Sequence, residues 1–138
     1  MDNAEAEFTT PTSSSDRLIA IVEDDARLAC MFRDVLGRAG NWRLRVFSDG
    51  QEARTSLPEL NADLILLDVG LPNLDGASLF KILRGHSNTK NTPIIVITGS
   101  QEWQLHRMGL QTGLLLRKPF EMEELLRMIQ ALFPCQEM

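Results

Sequence analysis

Acidic side chains stand at two places in the sequence where a short apolar run ends. Glu23, Asp24 and Asp25 follow one such run, and Asp68 closes another. Carboxylates that are packed together raise each other's pKa, and a divalent cation relieves their repulsion. Mg²⁺ takes oxygen ligands and keeps several waters, so one or two direct carboxylates suffice to hold it. The pattern therefore predicts a divalent-cation site, provided that the two run ends meet in the fold.

A hydroxyl and an ammonium group occur at the ends of two further apolar runs. Thr98 closes one of these runs, and Lys118 follows the other. A carboxylate beside a bound cation can attack an activated phosphoryl group and become an aspartyl phosphate. This transfer requires mainly positioning and charge neutralisation, which an ammonium and a hydroxyl can supply. The four run ends together indicate phosphoryl transfer to a carboxylate.

Each of these residues also has a purely structural explanation. An acidic residue after a strand is often the N-cap of the next helix, and Asp25 before Ala26 fits that role. Chance is a poor explanation for the whole set, because four separate strand ends would each have to present a suitable group.

The elements that must position these groups alternate between two kinds of segment. The predicted strands are residues 18–22, 44–47, 64–67, 94–97 and 114–116. The predicted helices are residues 26–39, 50–57, 76–86, 101–110 and 120–133. Nearly continuous apolar runs are typical of parallel strands with helices on both faces. Right-handed crossovers put the C-terminal ends of such strands on one edge, where ligands bind. The pattern predicts a doubly wound α/β fold.

The length of 138 residues fits one domain. Residues 1–16 are polar, with a Thr/Ser/Pro cluster, and are predicted to be a flexible leader. The domain is expected to span residues 17–134, and residues 135–138 form a short tail. Cys30 lies within an apolar helical pattern, which predicts a buried free thiol.

Charge and hydropathy restrict the partners and the compartment. The net charge of −5 and the scattered basic residues argue against direct nucleic-acid binding. Apolar runs stay shorter than the roughly 18 residues that a membrane span requires. The N-terminus has no basic segment followed by an apolar one, so no secretory signal is indicated. The cytoplasm is the expected compartment.

Four motifs resemble those of response-regulator receiver domains, the phosphoaccepting modules of two-component signalling. Residues 21–25 (IVEDD) are similar to the acidic-pair motif, and residues 63–76 (DLILLDVGLPNLDG) to the phosphoacceptor strand and its loop. Thr98-Gly99 resembles the switch hydroxyl with its small neighbour, and Lys118-Pro119-Phe120 resembles the lysine motif. The resemblance covers about residues 17–133 and implies a flavodoxin-like, five-stranded parallel sheet of order 2-1-3-4-5.

The resemblance also implies a metal site, occupied by Mg²⁺ or Mn²⁺. Asp24 would bind the cation directly, and Glu23 would act through a metal-bound water. Asp68 would be a second ligand, and the backbone carbonyl of Gly70 a third.

The same resemblance gives roles to the groups that handle the phosphoryl group. Asp68 would be the phosphoacceptor. Thr98 would hydrogen-bond the phosphoryl group and report its presence. Lys118 would pair with Asp68 at rest and with the phosphoryl oxygens afterwards, and the peptide bond before Pro119 would be cis.

The implied partners are a histidine kinase or histidine phosphotransfer protein as donor and an unidentified output partner, with a homodimer possible. The domain would catalyse only its own phosphorylation and dephosphorylation. One alternative is a degenerate receiver that only docks proteins, and the intact site set argues against it. Another is a metal-dependent phosphatase with an aspartyl nucleophile. Such enzymes usually carry a second Asp two residues after the nucleophile, where this chain has Gly70.

Three features depart from the family pattern. The stretch from Thr98 to Lys118 is slightly short, and Leu115 stands where many members carry a ring. Gly70 and Ser100 occupy the two positions that tune the phosphoryl lifetime in the family. The shortened stretch and Leu115 predict that activation travels mainly through Thr98 and the backbone of residues 99 to about 112.

Overall fold

The computed structural model describes residues 7–8, 17–70, 74–99 and 114–134. The strands are β1 (Glu7–Phe8), β2 (Arg17–Val22), β3 (Trp42–Phe47), β4 (Leu64–Asp68), β5 (Ile94–Thr98) and β6 (Leu115–Arg117). The helices are α1 (Ala26–Ala39), α2 (Gly50–Leu60), α3 (Gly76–Gly85) and α4 (Met122–Leu132). The helix predicted for residues 101–110 lies outside the described residues.

The described strands form one sheet of order β1-β3-β2-β4-β5-β6. Strands β2 to β6 are parallel to their neighbours. Numbered among themselves, these five strands have the order 2-1-3-4-5, which confirms the predicted fold. Strand β1 adds an antiparallel edge, with Glu7 opposite Arg45 and Phe8 opposite Leu44. This pairing of two leader residues was not expected, and the proposed domain limits stay a prediction.

Both faces of the sheet are covered by helices, as the continuous apolar runs predict. Every residue of β4 and β5 is buried. Alternate side chains point to opposite faces, so the core divides into two clusters. One cluster joins the strands to α2 and α3 and includes Ala53, Leu57 and Leu79. The other joins them to α1 and α4 and includes Phe32, Leu36 and Leu125.

Aspartate caps fix where three of the helices begin. The side chain of Asp25 accepts hydrogen bonds from the backbone N–H groups of Arg27 and Leu28, which confirms its expected capping role. Asp49 and Asp75 cap α2 and α3 in the same way. A side-chain acceptor at this position satisfies N–H groups that have no partner within the helix. The first turn of each of these three helices is thereby stabilised.

The predicted burial of Cys30 is wrong, because its side chain is exposed. Helix α1 buries Ala29, Phe32 and Leu36. Successive helical residues lie about 100° apart around the axis, so the residue after Ala29 points away from that buried stripe. Within the part of the chain that the structure describes, no helix has the length and apolar character needed to cross a membrane.

Candidate functional site

The residues predicted to carry the chemistry line one open cleft of about 490 Å³ at the C-terminal ends of the parallel strands. The cleft is lined by Glu23, Asp24, Asp25, Asp68, Val69, Gly70, Thr98, Gly99 and Lys118. Every residue that the sequence assigned to the site is therefore present. They are brought together because β2, β4, β5 and β6 run in the same direction.

Three carboxylates form the acidic side of this cleft. Glu23, Asp24 and Asp68 each offer an oxygen, and these oxygens lie within 4.8 Å of one another. Glu23 and Asp68 are buried, whereas Asp24 is exposed. Backbone hydrogen bonds between strand ends hold the group in place, such as the 2.9 Å bond from the N–H of Glu23 to the carbonyl of Phe47.

Glu23 has a strongly raised pKa. Burial and the adjacent Asp68 carboxylate raise the pKa of Glu23 to about 8, although the N–H of Asp25 and the charge of Lys118 act in the opposite direction. That N–H donates to Oε2 of Glu23 at 3.1 Å. Oε1 is buried and has no hydrogen-bond partner among the described residues. The positioning role of Asp25 was missed, because a backbone donor leaves no signal in residue type.

Asp68 is held on both of its carboxylate oxygens. Oδ1 accepts a hydrogen bond of 2.9 Å from the N–H of Gly70. Oδ2 lies 3.4 Å from the ammonium nitrogen of Lys118. Asp68 is only 5% exposed, yet it lines the cleft. Its carboxylate is therefore oriented by the chain and can be approached from solvent.

Thr98 and Lys118 line the cleft from the ends of β5 and β6. Thr98 ends β5 and is buried, and its carbonyl accepts a 2.8 Å hydrogen bond from the N–H of Lys118. The Lys118–Pro119 peptide bond is cis, as expected. The lysine thus leaves β6 directly beside the end of β5, with its ammonium directed at Asp68.

The donor set fits a hard divalent cation. All three clustered side chains are carboxylates, and such oxygen ligands are those that Mg²⁺ and Mn²⁺ prefer. The buried Oε1 of Glu23, which lacks a partner among the described residues, is an acceptor suited to a metal-bound water. Gly70 lines the same cleft, and the role of its carbonyl as a ligand stays a prediction.

Comparison with known proteins gives an independent view of the chain. A family model described as response regulator receiver domain matches residues 19–130. The transcriptional regulatory protein GltR of Pseudomonas aeruginosa is 38% identical over 122 residues, which cover 87% of this chain and 50% of GltR. The chain thus spans about half the length of the curated relatives it matches.

Two similar solved structures are described as holding a divalent cation. The receiver domain of the sensor histidine kinase PA1611 from Pseudomonas aeruginosa has magnesium coordinated in its active site cleft. It matches with a TM-score of 0.73 and 29% identity, covering 85% of this chain and 97% of that domain. The Mn²⁺-bound form of response regulator Rcp1 matches with a TM-score of 0.69 and 26% identity, covering 83% and 90% of the two chains.

The sequence motifs, the strand order and the match to the family model agree. The matched region begins in β2 and ends in α4, so it includes every strand that contributes to the cleft. The chain therefore belongs to the response regulator receiver domain family.

Proposed function

We propose that this chain accepts a phosphoryl group on Asp68 in a Mg²⁺-dependent reaction and then presents an altered surface to a partner protein. The observation that carries the proposal is the environment of Asp68. Its carboxylate is buried at the end of β4, lies among two further acids, and faces the ammonium of Lys118. Buried carboxylates and an ammonium at one cleft meet the requirements of phosphoryl transfer.

The phosphoryl donor is a phosphohistidine on a histidine kinase or a phosphotransfer protein. A carboxylate oxygen of Asp68 attacks phosphorus, an O–P bond forms, and the N–P bond of the donor breaks. The histidine nitrogen keeps the bonding electron pair and takes a proton from solvent. The chain is itself the molecule that is modified and catalyses only its own phosphorylation and dephosphorylation, so it is not an enzyme in the usual sense.

Asp24, Asp68 and the carbonyl of Gly70 would hold the cation, with Glu23 reaching it through a water. When bound, Mg²⁺ or Mn²⁺ supplies positive charge that offsets the crowded carboxylates and the phosphoryl oxygens. Similar structures with bound magnesium and manganese support this part of the proposal.

Lys118 and Thr98 are the chain's own contacts for the phosphoryl group. The ammonium of Lys118 already lies 3.4 Å from Oδ2 of Asp68, so it is placed to stabilise negative charge on the new acyl phosphate. Thr98 is buried beside Asp68 at the end of the neighbouring strand, and its hydroxyl serves as the donor that registers the modification.

The remaining expectations about partners and location belong to the same proposal. We expect the domain to act in the cytoplasm and to contact a kinase or phosphotransfer protein, and a homodimer is a possible assembly. The relative GltR is named a transcriptional regulatory protein. That name gives no support to the expectation that direct nucleic-acid contact is absent, which stays a prediction based on net charge.

Intact-mass measurement after incubation with Mg²⁺ and acetyl phosphate tests the proposal. Wild-type protein should gain one phosphoryl group, and Asp68→Asn should gain none. The matched control is Asp34→Asn, an exposed carboxylate on α1, which should be modified like wild type. A phosphoryl adduct that persists in Asp68→Asn would contradict the assignment.

A further inference from the structure

Gly50, the first residue of α2, lies against the loop that follows the phosphoacceptor strand. A β-carbon at position 50 would lie 2.2 Å from the backbone carbonyl oxygen of Leu74 and 3.1 Å from the Cβ of the same residue. Gly50 is buried, and Leu74 packs against the apolar cluster formed with α2 and α3. The backbones of α2 and of this loop therefore meet where a side chain at position 50 does not fit.

Gly76, the first residue of α3, packs against the backbone of Asp68 and Val69. A β-carbon on Gly76 would lie 2.3 Å from the Cα of Val69 and 2.6 Å from the carbonyl oxygen of Asp68. The N–H of Gly76 donates to the carbonyl of Val69 at 3.3 Å. Leu74 is separated from Gly76 by one residue, so a displacement of Leu74 is passed to the backbone beside the phosphoacceptor.

The backbone of Val69 and Gly70 contributes to the site in two ways. Val69 leads directly into Gly70, whose N–H donates to Oδ1 of Asp68 at 2.9 Å. The carbonyl of Gly70 is the ligand that the proposed function assigns to the cation. The position of this segment therefore sets both the orientation of Asp68 and the place of a backbone ligand.

We propose that Gly50 is a positioning residue for the phosphoacceptor site. By allowing α2 to touch Leu74, it fixes the position of Leu74 and, through Gly76 and Val69, the metal-binding and phosphoaccepting groups. This inference rests on the proposed function. No side chain of α2 is among the residues that line the cleft. The start of this helix nevertheless influences the chemistry of the cleft.

Gly50→Ala tests the contact directly. The added methyl group meets a backbone carbonyl, so rotation of a side chain cannot relieve the overlap, and the loop or the helix must move by about 1 Å. Misplacement of that size near a reacting group costs up to about a hundredfold in rate. Loss of support around metal ligands costs about tenfold to a hundredfold in affinity. We expect Gly50→Ala to weaken Mg²⁺ binding about tenfold and to slow phosphorylation by acetyl phosphate at least as much.

Two control variants separate positioning from general loss of stability. Gly37→Ala changes another helical glycine, in α1, whose β-carbon would have no atom within 4 Å. Leu36→Ala removes buried apolar volume from the cluster on the opposite face of the sheet. Mg²⁺ affinity is measured by calorimetric titration of the full chain at a temperature where each variant is folded. Both controls should bind Mg²⁺ like wild type, although Leu36→Ala melts at a lower temperature.

Leu74→Ala provides a second route if Gly50→Ala does not fold. It shortens the side chain that ties the loop to the apolar cluster, and it should also weaken Mg²⁺ binding several-fold. Unchanged Mg²⁺ affinity in a folded Gly50→Ala or in Leu74→Ala would overturn the inference, as would an equal loss in Leu36→Ala. Wild-type protein that binds no Mg²⁺ would instead overturn the proposed function, which keeps the two failures distinct.

Discussion

The ammonium nitrogen of Lys118 lies 3.4 Å from Oδ2 of Asp68, and the two side chains differ in exposure, at 38% and 7%. The pair thus joins a buried carboxylate to a cation that remains open to solvent. Ion pairs between solvent-exposed groups contribute only about 0–1 kcal/mol to stability, and solvent around the exposed lysine screens this pair in the same way. The position of Lys118 is therefore better explained by what it does at the cleft than by what it adds to the fold.

Lys118→Met is expected to separate the role of Lys118 in phosphoryl transfer from its contribution to stability. Phosphorylation by acetyl phosphate should slow by about tenfold to a hundredfold, because a donor facing the developing charge is lost. The free energy of unfolding should change by less than about 1 kcal/mol. Lys81→Met, which alters an exposed lysine on α3, is the control. Equal phosphorylation rates in the two variants would show that Lys118 has no part in the transfer.

Asp24→Ala is expected to abolish Mg²⁺ binding and phosphorylation while leaving the fold intact. Asp24 is the exposed member of the acidic cluster, so its removal leaves no buried group without a partner. Removing a negative charge from the acidic cluster around Asp68 should also raise the melting temperature of the metal-free protein. Calorimetric Mg²⁺ titration and thermal melts check both expectations, with Asp34→Ala as control. Unchanged Mg²⁺ affinity would mean that the cation is held elsewhere.

The raised pKa of Glu23 predicts how the stability of the metal-free protein depends on pH. Its pKa is raised from 4.5 to about 8 by burial and by Asp68, so the folded state binds this proton more tightly than the unfolded state does. The resulting stabilisation is fully present below pH 4.5 and is lost as the pH rises through about 8. Metal-free protein should therefore lose stability as the pH rises from about 4.5 to about 8.

Urea unfolding in the presence of a chelator measures this dependence. Glu23→Gln keeps the size of the side chain and cannot lose a proton, so this variant should be more stable than wild type on the alkaline side. Its stability should also vary less with pH over that range. An identical pH dependence in wild type and Glu23→Gln would show that another group is responsible.

The strand order and the cleft were predictable because they depend on residue type at strand ends. Asp68 and Thr98 close buried strands, and Lys118 follows the last one, so a parallel sheet has to bring them to one edge. Helix α1 was predicted with its observed bounds, from Asp25 as cap to Gly40 after its end. In these places local sequence and tertiary structure impose the same arrangement.

The features that were missed depend on contacts that residue types do not reveal. Helix α2 was expected to end at Leu57 but continues to Leu60, with Pro58 inside it and a left-handed Asn61 after its end. Strand β1 was not expected, because Glu7 and Phe8 lie in a polar leader without periodicity. Their pairing with β3 is made by the backbone. The close approach of Gly50 to Leu74 is likewise a contact between backbones distant in sequence.

Leu115 is expected to change how phosphorylation reaches the protein surface. Many family members carry a ring at the position of Leu115, which moves inward when the switch hydroxyl moves toward the phosphoryl group. Leu115 lies on β6 beside Val96, is half-buried, and packs against the apolar cluster formed with α2 and α3. Fully exposing a buried leucine costs roughly 1.5–3 kcal/mol, so the packing that Leu115 already has opposes an outward rotamer.

We therefore expect the signal to pass from Thr98 into residues 99–112, a segment of which only Gly99 lies within the described residues. Backbone amide and methyl NMR shifts, recorded with and without beryllofluoride as a phosphoryl mimic, test this expectation. Shifts should appear in residues 99–112 while the Leu115 methyl groups keep their rotamer. Thr98→Ala should bind the mimic but transmit much smaller shifts to that segment, because the hydroxyl that responds to the phosphoryl group is gone. The opposite pattern, with a quiet segment and a changed Leu115 rotamer, would show that the leucine itself acts as the switch.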